Sequence, residues 1–232
     1  MDLFVGTSGY SYKEWKGDFY PKDLPAGEML RYYGTRLNAV EINNTFYRFP
    51  KDSVLTGWAD QVPETFHFVL KASRKITHFK RLKQTEEETA YLARTVKVLG
   101  KRLGVVFFQL PPNLKADLPR LEEFLLQIPD DLPVAFEFRH QSWFEDETFA
   151  LLRRQNAALC IADADGELDV PFVSTADFGY LRLRKEKYTA KDLKAWAKRI
   201  GDESWKRCYV FFKHEDEAAG PKMAGTFLDL FS

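Results

Sequence analysis

Hydrophobic and polar positions along the chain follow one recurring order. A short apolar, β-rich run ends on a polar residue, and a stretch with apolar residues at helical spacing follows. Eight such runs occur, at residues 3–6, 39–43, 66–71, 104–110, 134–139, 158–163, 180–184 and 208–213. Eight strands alternating with helices predict an α/β fold, a (β/α)8 TIM barrel occupying residues 1–232 as a single domain. Among the intervening helices, Thr85 with Glu88 reads as a capping box opening "EEETAYLARTVKVLGKRLG". Asp117 is placed to cap "LPRLEEFLLQI" and Thr189 to cap "AKDLKAWAKRI", which Gly201 then ends. Residues 164–179 are rich in Gly, Asp and Pro without a helical period, so an irregular crossover is expected between strands six and seven. The last helix must come from "GPKMAGTFLDLF" and should be short.

Alternation along each strand separates the side chains facing the barrel interior from those facing the helices. If Val40 and Ile42 face outward, Glu41 and Asn43 point in. Outward Val134, Phe136 and Phe138 leave Glu137 and Arg139 inside, and outward Leu181 and Leu183 leave Tyr180, Arg182 and Arg184 inside. Similar reasoning places Lys71, Gln109, Asp163 and Lys213 at the inner ends of strands three, four, six and eight. These groups gather at the C-terminal strand ends, the face where barrel enzymes carry their chemistry. Burying so many ionisable groups costs several kcal/mol each unless they are paired, so a satisfied ion-pair plug is the structural alternative to a site. His67 reads as a hydrogen-bonded core residue, and His78 and His214 as loop residues. His140, between Arg139 and Trp143, stands at the mouth as a candidate catalyst.

The first connection, "GTSGYSYKEWKGDFYP", leaves strand one through Gly6 and Gly9 and then places Tyr10, Tyr12 and Trp15 on a loop. With Phe46, Tyr47 and Trp143 on the loops after strands two and five, these rings are able to stack a sugar or base, or to cap the barrel with apolar area. The glycine spacing matches neither the dinucleotide fingerprint nor the P-loop.

Composition narrows the classes. Thirty-four basic residues balance thirty-four acidic ones, which leaves no global field for holding a polyanion. The start of the chain has no leader-like pattern and no run is apolar enough to span a bilayer, so a cytoplasmic protein without membrane contact is expected. Cys160 and Cys208 lie in strand-like segments and read as buried, reduced thiols. The four histidines show no metal-ligand spacing, so neither a metal centre nor a cofactor is expected, although the carboxylates leave room for a single Mg²⁺.

The segments "GTSGYSYKEWKGDFYP", "VEINNTFYRFP", "FQLPP" and "FEFRHQSW", in this order over nearly the whole chain, resemble the domain-of-unknown-function family 72, the YecE-like proteins. The resemblance implies a TIM barrel and carries no reaction with it. By motif it singles out Tyr10, Trp15, Glu41, Asn43, Thr45, Tyr47, Gln109, Glu137, Arg139, His140 and Trp143. The chain departs from that family at the ends of strands seven and eight, where Arg184 and Lys213 add positive charge.

Taken together, these readings point to an enzyme acting on a small anionic metabolite, of phosphorylated, sugar-like or nucleotide-like character. Glu137 is the preferred acid or base, with Glu41 and His140 next. Arg139, Arg182 and Lys71 would bind the anion, and Tyr10, Trp15, Asn43, Thr45, Tyr47, Gln109, Trp143 and Asp163 would complete the substrate site. An inverting glycosidase using Glu41 and Glu137 is one alternative, and a non-catalytic protein stacking nucleotides or single strands is another. A monomer whose partner is a small anion, rather than nucleic acid, is expected.

Overall fold

A computed structural model describes residues 1–166, 168–213 and 218–231. Eight parallel strands close into a barrel in chain order, with β1 hydrogen-bonded to both β2 and β8. The strands are β1 (Asp2–Ser8), β2 (Ala39–Ile42), β3 (His67–Lys71), β4 (Leu103–Gln109), β5 (Val134–Glu137), β6 (Ala158–Asp163), β7 (Phe178–Leu183) and β8 (Arg207–Phe212). All eight expected runs are strands, and β6 has the predicted bounds. β2, β5 and β7 stop one or two residues early, so Asn43, Arg139 and Arg184 stand just past strand ends, on the rim.

The described residues hold seven α-helices: α1 (Met29–Tyr33), α2 (Asp52–Ala59), α3 (Glu86–Val96), α4 (Leu118–Leu125), α5 (Asp146–Arg154), α6 (Ala190–Gly201) and α7 (Ala219–Asp229). Thr189 and Asp192 form a full capping box on α6, and Asp117 accepts from the Arg120 amide at the start of α4. The capping box expected on α3 is absent. Thr85 Oγ1 donates to Gln127 Oε1, and the Glu88 carboxylate is taken by Lys75 and Lys80, so tertiary partners outcompete the local cap. Between β6 and β7 the described residues contain no helix, as the composition of that stretch implies. α7 is as long as α3, at eleven residues.

Strand alternation produces two apolar layers. Val40, Ile42, Val134, Phe136, Leu181 and Leu183 pack outward with the helices, while Val69, Val105, Phe107, Cys160, Tyr180 and Phe211 fill the interior. At the N-terminal end of the barrel His67 stacks on Phe4 at 3.8 Å and its Nδ1 lies 2.9 Å from the Tyr209 hydroxyl, which makes it the core histidine expected. Cys160 and Cys208 are buried free thiols.

Gly6 belongs to β1 rather than to the turn after it. A Cβ there would lie 1.8 Å from the Ala39 carbonyl oxygen and 2.8 Å from the Tyr33 hydroxyl, so glycine is what lets β2 approach β1. Gly9, at φ +95°, makes the turn itself.

Candidate active site

Alternation carries six polar side chains to the C-terminal end of the interior: Ser8, Glu41, Lys71, Gln109, Glu137 and Arg182. Gln109 and Glu137 are register partners on β4 and β5. The centre of the cluster is Arg182, whose Nη1 donates to Glu137 Oε2 at 2.6 Å and whose Nη2 donates to Glu41 Oε1 at 2.9 Å. Glu41 also accepts from Ser8 Oγ at 2.8 Å, Asn43 Nδ2 at 2.9 Å and the Tyr180 hydroxyl at 2.6 Å. Glu137 Oε1 accepts from Gln109 Nε2 at 2.7 Å, and Gln109 Oε1 in turn accepts from Lys71 Nζ at 2.8 Å. Because a carboxylate only accepts, the Glu137 contact sets the orientation of the Gln109 amide.

This geometry sets the charge states. Burial would raise the Glu41 carboxyl, but Arg182 and the three donors outweigh it and hold the group at about 2. Glu137 is held below the usual carboxylate range in the same way: Arg182 and Gln109 overcome its burial. Lys71 is pushed down to about 8 by burial and by Arg182, with Arg184 adding to the effect and Glu41 and Glu137 opposing it. Burial pushes the Cys160 thiol well up, and the Glu137 carboxylate, whose Oε2 lies 3.9 Å from Sγ, adds to the rise.

Above the network is a cavity of about 510 Å³. Lys71, Arg139, Arg182 and Arg184 line it against Glu137 and Asp165, so cations predominate. Tyr12, Phe46 and Tyr47 supply aromatic walls, and Asn43 and Gln109 supply amides. Asp165, Gly166, Leu168 and Val170 of the β6–β7 crossover form a further wall. The sequence reading foresaw this crossover without assigning it to the site. The available signal was the missing helix, since a chain that does not cover the barrel's flank is free to pass over its mouth.

Several expected site residues lie elsewhere. Trp15 is 1% exposed and packs with Tyr12, Phe19 and Tyr20. Trp143 is 0% exposed, donates Nε1 to the Leu114 carbonyl and stacks on Phe138 at 4.6 Å. Both are packing residues, because each loop folds back on itself and turns its largest ring inward. Tyr10 takes part in the apolar cluster around Tyr33 and lines no part of the cavity. Thr45 is buried and donates to the Lys71 carbonyl at 2.6 Å, which fixes the β2 loop against β3.

Asp163 shares the parity of Leu159 and Ile161 and so faces outward, where it meets Lys185 Nζ at 2.9 Å and the Tyr188 hydroxyl at 3.0 Å. His140 closes its own turn, with Nδ1 accepting from the Ser142 amide, and is not a cavity residue. Lys213 does not line the cavity either, and His214 lies outside the described residues. Glu41 is 0% exposed and absent from the cavity wall. A single arginine bridges it to Glu137, so the two carboxylates cannot flank a sugar as a glycosidase pair. The ion-pair network, in which Arg182 Nε alone lacks a partner among the described residues, and the open site therefore coexist, one forming the floor of the other. Among the described residues no three His, Cys, Asp or Glu side chains gather as metal ligands, and no helix is long and apolar enough to cross a membrane.

The family model for "Protein of unknown function DUF72" matches residues 4–232. The UPF0759 protein YunF of Bacillus subtilis is 22% identical over 93% of this chain and 79% of its own length. The UPF0759 protein YecE of Escherichia coli K12 is 30% identical over 61% of this chain, a match spanning half of that protein. In structure, a DUF72 family protein of Thermotoga maritima superposes with a TM-score of 0.88 at 25% identity, covering 100% of this chain and 99% of that one.

Proposed function

The chain belongs to the DUF72 family of proteins of unknown function, and on that premise we propose that it is an enzyme acting on a small anionic metabolite at the C-terminal mouth of its barrel. The observation that supports this is the convergence of Lys71, Arg139 and Arg184 on one cavity around the carboxylate of Glu137. Arg182 is committed to Glu41 and Glu137, so the anion falls to the other three cations. Arg139, with its side chain 47% exposed and only a 3.8 Å contact to Glu137, is free to clamp a phosphate or carboxylate in bidentate fashion. Glu137, kept ionised on the floor, would accept or return a proton once a bound substrate displaces one of its partners.

A ligand that binds only the native state raises the melting temperature by mass action. Inorganic phosphate should therefore stabilise the wild type with saturation, and Arg139→Met should abolish the response. An equal response in both, growing without saturation, would be a lyotropic effect and would remove the anion site.

A second feature favours a ligand bearing a base. At the rim, the Arg74 guanidinium lies 5.4 Å from the ring of Tyr47 and 5.1 Å from that of Phe79, and both rings are exposed. Such a surface suits stacking of a nucleotide. Stronger protection by a nucleoside monophosphate than by phosphate, reduced in Tyr47→Ala, would support it; equal protection would not.

A further inference from the structure

We infer that Lys71 is an amine nucleophile that forms an iminium bond with the carbonyl carbon of a small anionic aldehyde or ketone. The inference deepens the anion-binding reading and rests on it, since Arg139 and Arg184 are what would hold the anionic end of such a substrate.

Other lysines are paired with carboxylates: Lys75 and Lys80 with Glu88, Lys97 with Asp131, Lys185 with Asp163, Lys198 with Asp202, Lys206 with Asp177 and Lys222 with Asp18. Lys71 differs. Among the described residues it forms no ion pair, it is the cavity's one lysine, and its Nζ contacts are the neutral Gln109 amide oxygen and the face of Phe46, 4.5 Å away. An ammonium withdrawn from water, with Arg182 and Arg184 nearby and no carboxylate in ion-pair contact among the described residues, is disfavoured relative to the free amine. Its lowered pKa of about 8 agrees with that geometry. Near pH 7 such an amine is roughly two hundredfold more often neutral than an exposed lysine.

Gln109 adds direction. Its oxygen can only accept, so the amine turns an N–H toward it and its lone pair away. The orientation holds because the other end of the same amide is bound to Glu137. The step balances without a redox partner. The amine nitrogen bonds to the carbonyl carbon, the carbon–oxygen double bond breaks, and the oxygen leaves as water. Ammonium plus carbonyl thus gives iminium plus water with no net proton change. The positive charge remains on Nζ, where Glu137 and the Phe46 ring favour it.

The test treats the whole protein with pyruvate or dihydroxyacetone phosphate, with acetone as the uncharged control, and traps the product with borohydride. Intact mass and peptide mapping locate the adduct. One reduced adduct is expected on Lys71, about tenfold or more above any exposed lysine, given its larger neutral fraction. Inorganic phosphate should compete, acetone should label poorly, and Lys71→Arg should remove the adduct. Labelling should rise with pH through about 8 and then level off, the charged and titratable neighbours being Glu41 on β2, Glu137 on β5, Arg182 and Arg184 at β7, and His78 beyond β3.

Labelling spread evenly over surface lysines, or absent from Lys71 in the wild type, overturns the inference even if the variant misfolds. Phosphate stabilisation measured on the same sample separates the two readings. Stabilisation without an adduct leaves the anion site and removes the nucleophile, whereas loss of both removes both.

Discussion

Glu41 and Lys71 lie in the same cluster, but Arg182 and three donors outweigh burial at the first while burial prevails at the second, so each makes a different prediction. Glu41 titrates at about 2 in the fold and near 4.3 in an unfolded chain. Between those values the unfolded state binds more protons, so stability is present above about pH 4 and is lost as the pH falls toward 2. Acid unfolding followed by circular dichroism should show this loss, and Glu41→Gln should flatten it. The same variant should cost about 3–5 kcal/mol at pH 7, because it leaves Arg182 buried beside an unpaired face. Lys71 has the opposite sign. Its folded pKa is lowered to about 8, so the fold bears the penalty of a buried cation below pH 8 and is relieved of it as the pH rises toward 10. Lys71→Met should consequently raise stability near pH 7, by about 3 kcal/mol from the linkage arithmetic, while removing the borohydride-trapped adduct. A melting temperature unchanged or lowered by Lys71→Met would show that the amine is satisfied where it stands. Trp15→Ala and Trp143→Ala should each cost about 3–5 kcal/mol in denaturant unfolding, as truncated core aromatics do.

At the level of elements, β1 carries a position that no side chain can occupy. Its residue 6 faces the Ala39 carbonyl too closely for any side chain. Gly6→Ala should force β1 and β2 apart and destabilise the protein by several kcal/mol, with hydrogen exchange accelerating first along that strand pair. On α6, Thr189→Ala removes a capping box whose two bonds are both made and should cost about 1 kcal/mol. The corresponding change at Thr85 breaks a bond to Gln127 rather than a cap, so its effect should depend on Gln127 in a double-mutant cycle. These two helices also show where local patterns are readable. The pattern at Thr189 has no competitor on an exposed surface, whereas Glu88 at the fourth position of the other box finds two lysines brought in by the turn after β3.

For the molecule as a whole, zero net charge with a cationic cavity predicts selective rather than general anion binding. Phosphate stabilisation should fade as sodium chloride rises toward 1 M, where the screening length shrinks to about 3 Å. Binding of single-stranded oligonucleotides should stay weak, and a steep salt dependence in a binding titration would contradict that. The eight strands and the inward facing of Glu41, Lys71, Gln109, Glu137 and Arg182 were legible in the sequence, because strand alternation is a local geometric rule that holds wherever β-structure forms. That rule, applied consistently, would also have turned Asp163 outward with Ile161. Loops obey no such period. Whether Trp15 and Trp143 meet a ligand or the core, whether Glu41 is open or sealed beneath Arg182, and which segment covers the mouth all depend on contacts between residues far apart in the chain. Those contacts exist only after the barrel closes. Arg182 meets Glu41 from 141 positions away, and no pattern along the chain encodes that distance.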